Sequence, residues 1–376
     1  MREKGAWSEA TFTSRAKEAT VRGSATYEGE QRARQGKGLD PLVDPKKFDV
    51  IRMSNNLLVP EGDGFSLKFG VAMPVETDID TTGSMGGNVE IAFRVQPKVQ
   101  NLLIQGKDAV LKRYHTQIAT GVVQDRQDRF PYQRSQFEPD NEVEAQMALL
   151  NPEKDGGDSI EDYQLGLFAA AYLSKTSITN YGLRGYYFSV GDERGRDLFE
   201  QEVLERVFGP TVLEKAFGKS TATLPSVKEA VAEALSKWHI FFLQVGDKSD
   251  VTSWWRGLIG KERIVRLPKT EDLAEVQACI IGLTEGVLDA RSAVSFLKEA
   301  NVSAGEAQRI VDACLGIPLG LQKTLPNFDK IPMAGAKFAN REDIWPGTKG
   351  AGKLKKSVAV SETAAPVKKG KKTWKL

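Results

Sequence analysis

Asp80, Thr82 and Ser84 alternate along the stretch Asp80-Thr81-Thr82-Gly83-Ser84-Met85, directly after the apolar run Leu67 to Val75. Alternation lets a loop leaving a strand aim one carboxylate and two hydroxyls in the same direction. All three are hard oxygen donors. That set suits a divalent cation that keeps open positions, Mg²⁺ or Mn²⁺, whereas Zn²⁺ prefers Cys and His. The plain alternative is a polar strand-to-helix turn in which Asp80 caps a helix and the hydroxyls serve backbone amides.

Asp78-x-Asp80-x-Thr82-Gly83 also opens as an EF-hand calcium loop does, with oxygens at alternate positions and glycine sixth. Counted from Asp78, the twelfth residue is Val89, where that loop needs a bidentate glutamate. The preceding segment reads as a strand, not a helix, so the EF-hand is excluded.

Asp80-x-Thr82-x-Ser84 resembles the metal-ion-dependent adhesion site of von Willebrand factor type A (vWA) domains, whose pattern is Asp-x-Ser/Thr-x-Ser. The resemblance implies a doubly wound sheet with the metal at the carboxyl ends of its strands, where ligands bind in open α/β sheets. It also implies further oxygens from two more loops. Gly156-Gly157-Asp158-Ser159-Ile160-Glu161-Asp162, ahead of the helix-like run Tyr163 to Leu173, looks like the second loop. Many family members carry Thr there, so Asp158 or Ser159 stands in for it. Asp192, after the strand-like run Gly185 to Val190, resembles the family's last metal-facing Asp. Each of these loops taken alone reads equally as a turn or a helix cap. Three in the family's order carry the resemblance over about Leu67 to Val287.

Between the first two loops, His115 to Gln124 is rich in β-branched and small apolar residues and reads as the second strand. Asp125-Arg126-Gln127-Asp128-Arg129-Phe130-Pro131-Tyr132 and Ser135-Gln136-Phe137-Glu138-Pro139-Asp140-Asn141 follow. They resemble a bacterial and phage subset of vWA proteins in which such stretches flank an antiparallel edge strand. Pro131 and Pro139 confine that strand to an edge. Asp125, Asp128 and Glu138 are candidates for the rim of the metal face, beside a solvated-charge reading.

The elements that must position these loops alternate as a parallel sheet requires. Arg196 to Phe208 has a helical period, with Leu198, Phe199, Val203, Leu204 and Val207 on its apolar face. Val227 to Lys237 reads as a helix and Trp238 to Val245 as a buried strand. Asp250 to Gly260 carries Trp254-Trp255 in a loop or short helix, ahead of Ile264-Val265-Arg266-Leu267 and a helix over Glu271 to Val287. Ala290 to Ala300 and Ser303 to Leu315 form two amphipathic segments, with Ser303 as cap of the second. The expected fold class is α/β: a doubly wound, mostly parallel sheet with helices on both faces (vWA, Rossmann-like), plus a C-terminal helical hairpin and disordered termini.

The 376 residues are 40% apolar, enough for one full core with appendages. The expected division is a 1–65 N-terminal arm, a 66–288 vWA-like domain, a 289–318 helical hairpin, a 319–348 extended segment and a 349–376 basic tail. The resemblance implies that residues 48–52 lead from the arm into the first strand. No apolar run approaches about 20 residues, which argues against a membrane helix, and Met-Arg-Glu-Lys-Gly-Ala-Trp has no apolar signal core. Cys279 and Cys314 read as buried thiols of a reducing compartment. A cytoplasmic location, in a bacterium or a phage-infected host, is the expectation. The tail holds nine lysines against Glu362 alone, a net of about +8, which leaves the body near −6. Its composition predicts a disordered segment, either solubilising or an arm for nucleic acid or an acidic surface. Trp374 is a lone aromatic within it.

Only His115 and His239 are present, both inside apparent strands, and neither a Gly-x-Ser-x-Gly elbow nor a P-loop occurs. The expectation is a binding module, not an enzyme. One carboxylate backed by hydroxyls leaves the cation short of negative charge, so a partner's Asp or Glu completes its shell. Loops Asp125 to Asn141 and Ser249 to Trp255 would form the rim. The resemblance implies a MoxR-type ATPase as one partner class. The alternatives are an assembly scaffold acting through charged termini and, further off, a metal-dependent phosphoester hydrolase.

Overall fold

The computed structural model describes residues 28–47, 58–67, 70–104, 110–111, 115–138, 142–153, 157, 160–174, 177–221 and 223–344. Residues 48–52, Asp158, Ser159, the basic tail and Trp374 lie outside them.

In chain order, α1 (Glu28–Arg34) precedes the hairpin of β1 (Leu58–Glu61) and β2 (Gly64–Leu67). β3 (Ala72–Asp80), α2 (Asn88–Val95), α3 (Lys98–Ile104), β4 (His115–Val123), β5 (Tyr132–Arg134) and α4 (Glu142–Met147) follow. β6 (Ile160–Glu161) leads into α5 (Tyr163–Phe168), which continues as a π-helical stretch (Ala169–Leu173). Next come β7 (Gly185–Gly191), β8 (Arg194–Gly195), α6 (Gln201–Phe208), α7 (Val212–Phe217), α8 (Val227–Leu235) and β9 (Trp238–Gln244). The last are α9 (Ser249–Ile259), β10 (Ile264–Arg266), α10 (Leu273–Glu285), α11 (Ala290–Glu299), α12 (Ala304–Cys314) and β11 (Lys337–Phe338).

Six strands form the main sheet in the order β10-β9-β7-β3-β4-β5. All neighbours are parallel except β5, which runs antiparallel to β4 at the edge. The expected mixed α/β architecture and its antiparallel edge strand are therefore present. The chain places β4 on one side of β3 and β7 on the other. This makes the carboxyl end of β3 a topological switch point, where open α/β sheets leave a crevice for ligands.

β3, β7 and β9 are buried along their whole length, as strands covered on both faces must be. On one face Val75, Ile79, Val122, Phe188, Val190 and Leu243 join the core that includes Ile280 and Ile281 of α10. On the other, Tyr187, Ile240 and Phe242 meet Tyr163, Leu167, Phe168 and Trp255. Phe242 stacks on Trp255 with ring centroids 4.2 Å apart. Asp289 caps α11 and Ser303 caps α12, the latter as its position before the apolar period indicates. Both cysteines are buried free thiols.

Three boundaries differ from the sequence-based expectation. β2 ends at Leu67 in a separate sheet, ordered β1-β2-β11, while β3 runs on from Ala72 to Asp80. The apolar run stops at Val75, but Glu76, Thr77 and Asp78 remain strand because buried partners satisfy them. α6 begins at Gln201, not Arg196: Leu198 is 69% exposed while Phe199 is buried, a pattern of extended chain. Asp250 to Gly260 resolves as helix, α9.

Residues 28–47 dock beside the edge strand. Val43 is fully buried and its carbonyl accepts from Arg134 N at 3.3 Å. Arg129 donates to the carbonyls of Ala33 and Gly36. Backbone donors at the sheet edge are thereby partly covered.

Candidate metal centre

Asp80 is the last residue of β3 and is fully buried, so strand geometry and not a loop fixes its carboxylate. Oδ1 accepts from Thr82 N at 2.9 Å and from Thr82 Oγ1 at 2.7 Å. Oδ2 accepts from the Tyr163 hydroxyl at 2.6 Å. Gly191, at the end of the neighbouring β7, lets these groups meet: a Cβ there would strike the Tyr163 hydroxyl and Asp80. Burial pushes the Asp80 carboxyl up to about 6; the Tyr163 and Thr82 hydrogen bonds oppose this, and the Asp192 charge adds to it.

The chain of oxygens continues outward. Thr82 Oγ1 lies 3.3 Å from Ser84 Oγ, and Ser84 Oγ donates to Asp192 Oδ1 at 2.7 Å. Asp192 follows β7 directly and is 8% exposed, while Ser84 stands in solvent. The cluster is thus sealed at Asp80 and open at Ser84. Four of the expected site residues, Asp80, Thr82, Ser84 and Asp192, are brought together.

Asp158 and Ser159 of the second loop lie outside the described residues. The remainder of that loop reaches the cluster through a residue the sequence reading passed over. Glu161 is 2% exposed, and its Oε2 has no hydrogen-bond partner among the described residues. Burial, with the charges of Asp80 and Asp125, pushes its carboxyl up to about 10, a hydrogen bond with Thr82 opposing. A short parallel ladder, Ile160 to Arg194 and Glu161 to Gly195, ties this loop to the one that carries Asp192. The adjacent Asp162 is compensated differently, by Arg196 Nε at 3.1 Å and by Arg126 at 3.4 Å.

The rim is assembled from unequal parts. Asp125 is 3.7 Å from Arg196, and Asp128 accepts from Asp125 N at 2.9 Å. Glu138 does not reach this face. It bridges Ile118, five residues before the end of β4, which is about 16 Å back along a strand, and its carboxylate accepts from Gln146. The motif's proximity in sequence to Asp125 therefore misleads. On the opposite side Lys248, the residue before α9, sends its ammonium to Asp192 Oδ2 at 3.0 Å and also to Glu193. Trp254 of α9 donates to Asp197 at 2.8 Å.

Among the described residues, no three His, Cys, Asp or Glu side chains gather closely enough to hold an ion by themselves. The candidate donor set is instead two carboxylates and two hydroxyls. Its hard-oxygen chemistry and the unpartnered Glu161 oxygen fit a small divalent cation of the Mg²⁺ or Mn²⁺ type. Neither histidine takes part. His115 opens β4, and His239 lies inside β9, bonded to Gln322 at 2.9 Å, with burial pushing its pKa down to about 3.

The fold is α/β, a mainly parallel six-stranded sheet with helices on both faces. No protein-family profile and no curated protein matches the chain. Among solved structures it is distantly similar to the pilus adhesin SpaC from Lactobacillus rhamnosus GG, at 13% identity and TM-score 0.37. That match covers 60% of this chain and 34% of the adhesin. It is similar also to proximal thread matrix protein 1 from the mussel byssus, described with a zinc-occupied MIDAS motif, at 12% identity and TM-score 0.36. There 57% of this chain matches 46% of the other. The chain therefore spans less than half the length of either protein. No helix among the described residues is long and apolar enough to cross a membrane.

Proposed function

We propose that the chain is a metal-dependent protein-interaction module. Asp80, Thr82, Ser84 and Asp192, with Asp158 or Ser159 from the second loop, hold Mg²⁺ or Mn²⁺, and an Asp or Glu of a partner protein completes the shell. The bound ion supplies an electrophilic anchor for that carboxylate. The observation that carries this reading is the continuous run of oxygens from buried Asp80 through Thr82 and Ser84 to Asp192, at the switch point of the sheet.

The chain's own residues divide the work. Tyr163 and the Thr82 amide fix the Asp80 carboxylate. Burial on that side excludes water, and the exposure of Ser84 leaves the outer side open to a partner. The test is thermal unfolding of the full chain in EDTA, Mg²⁺ or Mn²⁺ beside Asp80→Ala, since a ligand that binds only the native state raises its stability. A metal-dependent rise in the wild type, lost in the variant, supports the site. No rise in either refutes it.

A further inference from the structure

We propose that the bound cation and the Lys248 ammonium exchange on Asp192, so that metal binding frees Lys248 at the rim, where it meets an acidic partner segment. This rests on the metal-binding reading above. Asp192 divides its oxygens: Oδ1 takes the Ser84 hydroxyl at 2.7 Å, and Oδ2 takes Lys248 Nζ at 3.0 Å. Lys248 is thus a tethered cation on the outermost carboxylate of the cluster.

A divalent ion held by Asp80, Thr82, Ser84 and Asp192 would place a second positive centre on the same carboxylate. The two cations repel, and the divalent one has the more donors. Lys248 is the component free to move. Its side chain is 43% exposed, on a flexible four-carbon stem at the start of α9, whereas Asp80 is fixed by strand and burial. Its other contact, Glu193, is also at the rim, so the released ammonium remains beside the open side of the site. A partner carboxylate arriving at the ion then finds a positive side chain next to it. The surface selects a segment with two neighbouring acidic residues over one with a single acid.

The experiment is pulse acetylation of the full chain with an N-hydroxysuccinimide ester, read at Lys248 by mass spectrometry in EDTA and in saturating Mn²⁺. Mn²⁺ binding is followed independently by electron paramagnetic resonance. Asp80→Asn, which keeps the side-chain shape, is the control. The expected result is a several-fold rise in Lys248 labelling with Mn²⁺ in the wild type and none in Asp80→Asn, together with several-fold tighter Mn²⁺ binding by Lys248→Met. If Mn²⁺ binds and Lys248 labelling is unchanged or falls, the exchange is overturned while the metal site stands. If Mn²⁺ does not bind at all, the metal site fails and the exchange with it.

Discussion

Glu76, Asp78 and Asp80 alternate along one face of β3, yet the inner two and the outer one are neutralised by different means. In the interior, Arg134 Nη1 donates to both oxygens of Glu76 at 2.9 and 3.1 Å, and Tyr132 adds a hydrogen bond at 3.3 Å. Tyr187 donates to Asp78 Oδ2 at 2.6 Å, in space that Gly166 leaves by having no side chain. Burial drives the Asp78 carboxyl well above its usual range, helped by the Glu76 charge and opposed by Tyr187 and Arg134. Two residues further on, Asp80 has no arginine partner among the described residues. Hydroxyls and one amide hold it, and the groups beyond are the acids Asp192 and Glu161. A buried charge must be paired or lose its proton balance. Glu76 has its counter-charge within the fold and Asp78 is held by a tyrosine hydroxyl near the same arginine, while the outer Asp80 is left to a counter-charge from outside.

Breaking the inner pair should have the largest effect. Arg134→Met leaves Glu76 buried and unpaired and is expected to cost about 3–5 kcal/mol in denaturant unfolding, equally with and without metal. Asp80→Ala should act the other way round. It removes the whole metal-dependent gain, about 2.7 kcal/mol at a metal concentration of a hundred times Kd, and leaves the protein folded in EDTA. Any metal response retained by Asp80→Ala would erase the distinction between the two regions.

A finer division is expected at Glu161. Glu161→Gln, whose amide has no proton to give up when an ion arrives, should weaken Mn²⁺ binding by about 10- to 100-fold, the range for groups that support metal ligands, as measured by calorimetric titration. Unchanged affinity would move Glu161 to the structurally compensated group. The smallest effect is that of pH. With the Asp80 carboxyl at about 6, its proton is held more tightly folded than unfolded, so protonation competes with the ion as pH falls through that value. Mn²⁺ affinity should be level above pH 7 and fall by up to about tenfold per unit below about 6. A profile flat down to pH 4.5 would mean that Asp80 does not contact the ion.

Much of the first loop was legible because Asp, Thr and Ser at alternate positions keep their order whatever the fold. The edge strand was legible from its flanking prolines, and Ser303 from its place before an apolar period. Glu161 lay inside a motif the sequence displays, but a glutamate three residues past a Gly-Gly-Asp sequence looks like a solvated loop charge until its burial is seen. Lys248 has no local signal. It reaches the site because β9 lies beside β7 in the sheet, although 56 residues separate it from Asp192. Glu138 shows the converse, since nearness in sequence to Asp125 placed it on a rim that the strand carries it away from.

By itself, the sequence determined the alternation of strands and helices, the order of the three loops and the oxygen chemistry of the first, because periodicity and residue type are properties of the chain. Only the tertiary structure decided which acids share a counter-charge and which do not. Compensation depends on distances of a few ångströms across neighbouring strands, and strand order in the sheet is set by packing both faces against helices, not by any one segment.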